Sequence, residues 1–206
     1  RPRPRGCSCT RSSCACSARY RMVFCRSLQK GFGKMLLRDM APSDPLTLLR
    51  ARVHEAEGRG RRAFALFQGA RHLGPLGWVL PSHVPELPML NGLPEGVGAR
   101  LHLIRPEGEV DLLWCVEEAL RSAPIGLVIA EPEKPLSLTA GRRLQLAAEA
   151  GRTTGLMLTR QDAGSNATET RWLCEPKAGP KPDSTLHAWS LIKNKRGTLG
   201  DWTLDW

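Results

Sequence analysis

The chain has 206 residues, enough for an α/β unit with a proper hydrophobic core. Its formal net charge is +10, yet residues 1–39 hold eight Arg and two Lys against Asp39 alone, so the other 167 residues carry 20 basic and 19 acidic side chains. A generally basic, polyanion-coating surface is therefore not expected of the folded part, and no window approaches the 18 apolar residues that a membrane-spanning helix needs.

Five of the seven cysteines (Cys7, Cys9, Cys14, Cys16 and Cys25) share the basic leader. Their C-x-C units lack the usual C-x2-C zinc spacing, and no histidine lies nearby. Residues 1–39 read as an unstructured leader, with Met35 and Met40 as alternative translation starts. A basic nucleic-acid-binding tail and a metal site are the competing readings. Met22 to Cys25 is too short for a signal-peptide core, so a cytoplasmic location is expected. Cys115 and Cys174 fall in apolar segments and read as small buried hydrophobes.

From residue 40 the chain reads as one unit. Pro45 to Glu57 fits a helix capped by Asp44, but ARVHEAEG within it also fits a short strand entering a turn. GRGRR (Gly58 to Arg62) is a glycine-and-arginine turn. Ala63 to Leu73 has helical apolar spacing and stops at Gly74-Pro75. Leu76 to Leu80 is strand-like. Ser82 to Leu90 predicts a short helix broken by prolines, and Asn91 to Gly98 a glycine-rich connector.

Leu101 to Glu131 then spells a βαβ unit: LHLIR, an amphipathic PEGEVDLLWCVEEALRSAP, and IGLVIAE. The run Ile125 to Ala130 predicts a central strand, with Glu131 at its carboxyl end, where open α/β sheets place ligands. Leu138 to Ala150 predicts a helix capped by Thr139 and stopped by Gly151, and Leu156 to Thr159 a further strand. A polar loop (QDAGSNAT), the strand-like TRWLCEP and a linker from Lys177 to Asp183 follow. HAWSLIKN and DWTLDW then predict an antiparallel hairpin over about 186–206, turning at Gly197 and Gly200.

This order of motifs resembles the ImuA family, RecA-like proteins encoded in bacterial DNA-damage mutagenesis cassettes, in its short alphaproteobacterial form. The residues that carry the resemblance are RVHEAEG (Arg52 to Gly58), GPLGWVLP (Gly74 to Pro81), DLLWCVEEALRS (Asp111 to Ser122), GLVIAE (Gly126 to Glu131), LTAGRRLQLAAE (Leu138 to Glu149), TRWLCEP (Thr170 to Pro176) and the tail SLIKNKRGTLGDWTLDW. The resemblance implies a RecA-like, mostly parallel sheet with helices on both faces, extended by C-terminal antiparallel strands. It also implies an accessory role in SOS-induced translesion DNA synthesis beside an ImuB-like protein and an error-prone polymerase, with RecA or self-association as further contacts. A cell-division inhibitor and a nucleotide- or DNA-binding protein are the alternatives.

A RecA-type ATPase needs a P-loop, whose backbone N–H groups, lysine and hydroxyl hold phosphates and Mg²⁺, and a strand-end carboxylate that supports the metal. Here the corresponding turn, Gly58, Arg59, Gly60, Arg61, Arg62 and Ala63, is short and lacks Gly-Lys-Ser/Thr, while Glu131 matches the strand-end acid. These positions predict a degenerate phosphate site with no cofactor, no metal and no catalytic residue. Arg61 and Arg62 at a helix N-terminus could still hold an anion, although a solvated basic turn is the plainer reading. His54-Glu55 has no second histidine at helical spacing, and His72, His83, His102 and His187 are isolated. Interface candidates are Lys193, Lys195 and Arg196 beside Trp189 and Trp202, basic groups interleaved with aromatics. Set against that is a charged turn over a Trp-containing core. Trp78 and Trp114 read as core.

Overall fold

The computed structural model describes residues 44–89, 93–94, 96–160, 166–180 and 184–205, so the leader and its cysteines lie outside the described residues. One eight-stranded sheet runs through them. Its strands are β1 (Val53–Glu57), β2 (Leu76–Val79), β3 (Leu101–Ile104), β4 (Leu127–Ala130), β5 (Thr154–Leu158), β6 (Thr170–Ala178), β7 (Thr185–Asn194) and β8 (Gly200–Asp205). They lie side by side in the order β3-β2-β4-β5-β1-β6-β7-β8. From β3 to β6 every neighbouring pair is parallel, while β6–β7 and β7–β8 are antiparallel. The expected α/β class, a RecA-like mostly parallel sheet extended by antiparallel strands, is what the chain adopts.

The direction of travel decides which face each helix covers. The chain leaves β1 through α1 (Arg61–Arg71), passes two strands, and continues outward to β3 by way of the short α2 (Val97–Arg100). It then reverses through α3 (Glu109–Arg121) to β4 and through α4 (Leu138–Gly151) to β5. Right-handed parallel crossovers put opposite directions of travel on opposite faces of the sheet. Accordingly Phe64 and Phe67 of α1 share one core with Leu76, Trp78, Leu127, Ile129 and Leu156. Leu112, Val116 and Leu120 of α3, with Leu144 and Ala148 of α4, share the other with Val79, Val128 and Met157. Alternate strand residues face opposite cores, which explains why β2 and β4 carry no polar side chain.

The clearest central strand is β4, all four residues buried. Its βαβ unit with β3 and α3 matches the reading from sequence, as do α1, the C-terminal hairpin and the burial of Cys115 and Cys174 as free thiols. The open choice at Pro45 to Glu57 resolves as a strand. Asp44 instead makes a local turn, accepting from the Leu46 N–H at 2.9 Å, while Leu46 and Leu48 pack into the α1-side core. Residues 82–89 form no helix: after a turn at Ser82–His83 the backbone is irregular, and the prolines at 85 and 88 lack the donors a helix requires. The α4 cap is Ser137, not Thr139; its hydroxyl accepts from the Ala140 N–H at 3.1 Å. Trp114 is 45 % exposed, and Val110 and Leu146 also lie outside the core. The buried face of α3 instead runs through Leu112, Cys115, Val116, Ala119 and Leu120, which leaves Trp114, expected in the core, at its margin.

A buried polar chain ties β1 to the antiparallel extension. Trp172 Nε1 donates to Thr170 Oγ1 at 3.1 Å, and Thr170 Oγ1 lies 2.7 Å from His54 Nδ1. His54 Nε2 lies 3.0 Å from the Leu49 carbonyl. A carbonyl only accepts, so Nε2 carries the proton and Nδ1 accepts from the Thr170 hydroxyl. Burial pushes the His54 imidazole down to about 4, and desolvation lowers His72 as well. In the unfolded chain these groups take up a proton near pH 6.5, whereas in the native protein their protonation is shifted to lower pH. Folding stability is therefore fully present above pH 6.5 and falls as the pH drops towards 4, by about 3 kcal/mol for His54. Thermal unfolding from pH 7 to pH 4.5 should show this loss, with a shallower slope in His54→Gln.

Candidate functional site

Glu131 follows β4, and its N–H extends the ladder by donating to the Val79 carbonyl at 2.9 Å. That places its carboxylate at the carboxyl ends of β2 and β4, where the crossovers part to opposite faces of the sheet. Such a switch point is the usual ligand crevice of an open α/β fold. Arg62, in the first turn of α1, reaches into it. Its Nε lies 3.0 and 3.1 Å from the two Glu131 oxygens, and its Nη2 lies 2.8 Å from Oε2. The buried Trp78 indole donates to Oε1 at 2.9 Å. The Glu131 side chain is 12 % exposed and that of Arg62 32 %. A guanidinium and an indole thus hold a largely buried carboxylate, and the forked pair fixes α1 against β2 and β4.

The turn before Arg62 is closed by β6. Gly58 has φ +90°, and a Cβ there would meet the Cys174 carbonyl oxygen at 2.4 Å and Glu175 Oε1 at 2.7 Å. Only glycine fits this approach. The Gly60 N–H donates to the Cys174 carbonyl at 2.8 Å. Glu175 accepts from the Arg59 N–H at 3.1 Å and from Arg59 Nε at 3.0 Å. These bonds hold the Glu175 carboxyl below the usual carboxylate range, the backbone donor first. Arg61 turns back, its Nη1 donating to the Gly58 carbonyl at 2.9 Å. The five positions singled out in sequence, Gly58, Gly60, Arg61, Arg62 and Glu131, are thus brought together. Two of the turn's backbone donors and the guanidiniums of Arg59 and Arg62 are met by oxygens of this same chain.

The hairpin candidates lie elsewhere, at the amino ends of the parallel strands. Lys193 Nζ donates to the Thr168 carbonyl at 3.0 Å, and Lys195 Nζ to the Ala167 carbonyl at 2.6 Å. Arg196 pairs with Glu169 at 2.7 Å. Desolvation lowers the Lys193 ammonium. These basic groups fasten residues 167–169, and Lys195 to Leu199 of the turn are exposed. Trp189 is fully buried, with its ring 4.9 Å from Phe64 edge-on and 4.7 Å from Phe67. Trp202 is half-buried and stacks obliquely on Trp172 at 5.6 Å. The aromatic members of the predicted interface are core packing.

Sequence reading passed over the cluster beneath the hairpin. Glu55, with no exposed surface, accepts from the Thr168 hydroxyl at 2.9 Å and from Arg171 Nε at 3.1 Å. The available signal was slight, a glutamate within the strand-like ARVHEAEG, and a buried carboxylate there requires a cation and donors nearby. Among the described residues no group of three or more His, Cys, Asp or Glu is placed to hold a metal ion, and no helix is long and apolar enough to cross a membrane.

The fold and this crevice define a RecA-like α/β protein whose strand-end acid is clasped by an arginine. No family model matches the chain. Protein ImuA from Caulobacter vibrioides is 37% identical to it over 97 residues, covering 41% of this chain and 39% of the relative; the sequences from strains NA1000 / CB15N and ATCC 19089 / CIP 103742 / CB 15 give the same figures. The match thus spans about two fifths of the length of these curated relatives, and the chain is similar to ImuA proteins over that part.

Two substitutions probe the packing. Trp189→Ala should lower the unfolding free energy by about 3–5 kcal/mol, as for a buried aromatic, measured by urea denaturation. A cost below about 1 kcal/mol would point to a surface role. Gly58→Ala should destabilise the protein by about 2 kcal/mol, because it adds left-handed strain to the clash with the β6 backbone.

Proposed function

We propose that this protein is a non-catalytic, RecA-like accessory factor of DNA-damage-induced, error-prone translesion synthesis. It acts through protein contacts with the mutagenesis polymerase machinery, an ImuB-like protein first among them. The similarity to Protein ImuA supports the association with mutagenesis. In this reading residues 40–206 act as one RecA-like unit in the cytoplasm, and residues 1–39 take no part in it.

The observation that carries the non-catalytic part is the Arg62–Glu131 clasp. For Glu131 to serve a metal, Arg62 would have to leave it, exposing a largely buried carboxylate to the like charge of arriving phosphates. The turn supplies no lysine for the phosphates and no hydroxyl for Mg²⁺. Its Arg59 and Gly60 donors are already met by Glu175 and the Cys174 carbonyl, an internal carboxylate and carbonyl where a nucleotide would offer phosphate oxygens.

Titration calorimetry with ATP and Mg²⁺ should give no measurable heat of binding at protein concentrations of tens of micromolar. Micromolar affinity together with ATP turnover that is lost in Glu131→Gln would overturn the non-catalytic reading. The partner reading is tested by co-purification with the ImuB-like protein of the same cell. Retention through a salt wash supports it, and separate elution refutes it.

A further inference from the structure

On the sheet edge opposite the Glu131 crevice, a recess of about 480 Å³ is lined by Arg50, Ala51, Arg52, Glu149 and Arg152. Three of the five lining residues are arginines, in a portion of chain whose basic and acidic side chains otherwise nearly cancel. Arg52 is committed: it pairs with Glu149, donates to the Ala51 carbonyl at 3.3 Å and lies 3.9 Å from Glu169. Arg50 and Arg152 are exposed, and among the described residues neither has a carboxylate within ion-pair distance. Ala51, between the two N-terminal arginines, has φ 57°, and Arg152 has φ 55°. At Arg152 that conformation closes the end of α4, its N–H reaching the Ala148 and Glu149 carbonyls. At Ala51 it turns the chain sharply between Arg50 and Arg52.

The local charge decides the class of ligand. Three guanidiniums stand against Glu149 and the more distant Glu169, and the C-terminus of α4 adds about half a negative charge, so the recess keeps a small positive excess. Two uncommitted planar forks at the rim of an open hollow suit phosphate oxygens. The positive surface also continues beyond the hollow. Glu169 links Arg52 to Arg196 on the β7–β8 turn, where Lys195 and Arg196 are exposed. A hollow that opens onto a strip of this kind matches a run of phosphates better than a single one.

We propose that Arg50 and Arg152 form a phosphate-contacting site on the amino edge of the sheet that receives the phosphate backbone of a nucleic-acid strand. The site is distinct from the crevice at Glu131. It needs no nucleotide hydrolysis and carries no base specificity, because its contacts are to the backbone. Each phosphate it neutralises adds a fixed increment to the salt dependence of binding.

The test uses the full chain and a fluorescent single-stranded oligothymidylate carrying photoreactive 4-thiothymidine. Anisotropy is recorded between 50 and 200 mM salt, cross-links are mapped by mass spectrometry, and inorganic phosphate is titrated separately. Arg50→Ser with Arg152→Ser should weaken binding about tenfold, lower the log–log salt slope by about 1.4 for two phosphates, and leave the melting temperature unchanged. It should also abolish cross-links to peptides containing residues 50–52 and 149–152. Cross-links confined to residues 1–39, or an unchanged slope in the double variant, would overturn the proposal. So would binding of inorganic phosphate alone with no affinity for the oligonucleotide.

Discussion

The carboxylate of Glu131 is the constraint on which the carboxyl edge of this sheet depends. A largely buried acid at a strand end must be met by cations and donors or remain protonated, and here the chain meets it itself. Arg62 comes from the first turn of α1 and Trp78 from β2, so one ion pair and one hydrogen bond join three elements that the topology brings together from distant positions. The same logic repeats around the turn, where Glu175 and the Cys174 carbonyl of β6 satisfy the donors of Arg59 and Gly60. Self-ligation of this kind satisfies the donors and the acid of this edge from within the chain.

The two edges of the sheet are chemically unlike. At the carboxyl edge Arg59 and Arg62 are matched by the carboxylates of Glu175 and Glu131. At the amino edge arginines gather where the helices end: Arg71, Arg100 and Arg121 sit in the last turns of α1, α2 and α3, with Arg71 paired to Asp44 and Arg121 to Glu117 and Glu118. Part of that charge offsets helix dipoles. Arg100 shows this directly, donating to the His72 and Gly74 carbonyls at 2.7 and 2.8 Å at the end of α1. Arg50 has no such duty, which is why its exposure beside Arg152 carries more weight than the count of arginines on that edge.

Much of the fold was legible because its signals are local. The apolar run at Ile125 to Ala130, the helix repeat after it and the glycines at the terminal hairpin each set their own structure. Sheet order was not legible, because strand pairing is decided by long-range crossovers whose handedness leaves no mark on short segments. Burial was misjudged where one residue of helical phase matters, at Trp114, which lies just outside the buried face of α3. Trp189, read either as an interface aromatic or as part of a Trp-containing core, fills the space beside Phe64. The members of the crevice were legible as a list, Gly58 to Arg62 with Glu131. That Arg62 and Glu131 satisfy each other could be read only in three dimensions, as could the inward anchoring of Lys193 by the Thr168 carbonyl.

If the clasp holds α1 to the sheet in place of a bound nucleotide, the two side chains must depend on each other energetically. A double-mutant cycle of Arg62→Ala and Glu131→Gln, followed by urea denaturation, measures that dependence most directly. The account predicts a coupling energy of about 1–3 kcal/mol, as for contacting charged partners that are mostly shielded from water. Additive losses, with each substitution costing the same whether or not the other is present, would contradict it.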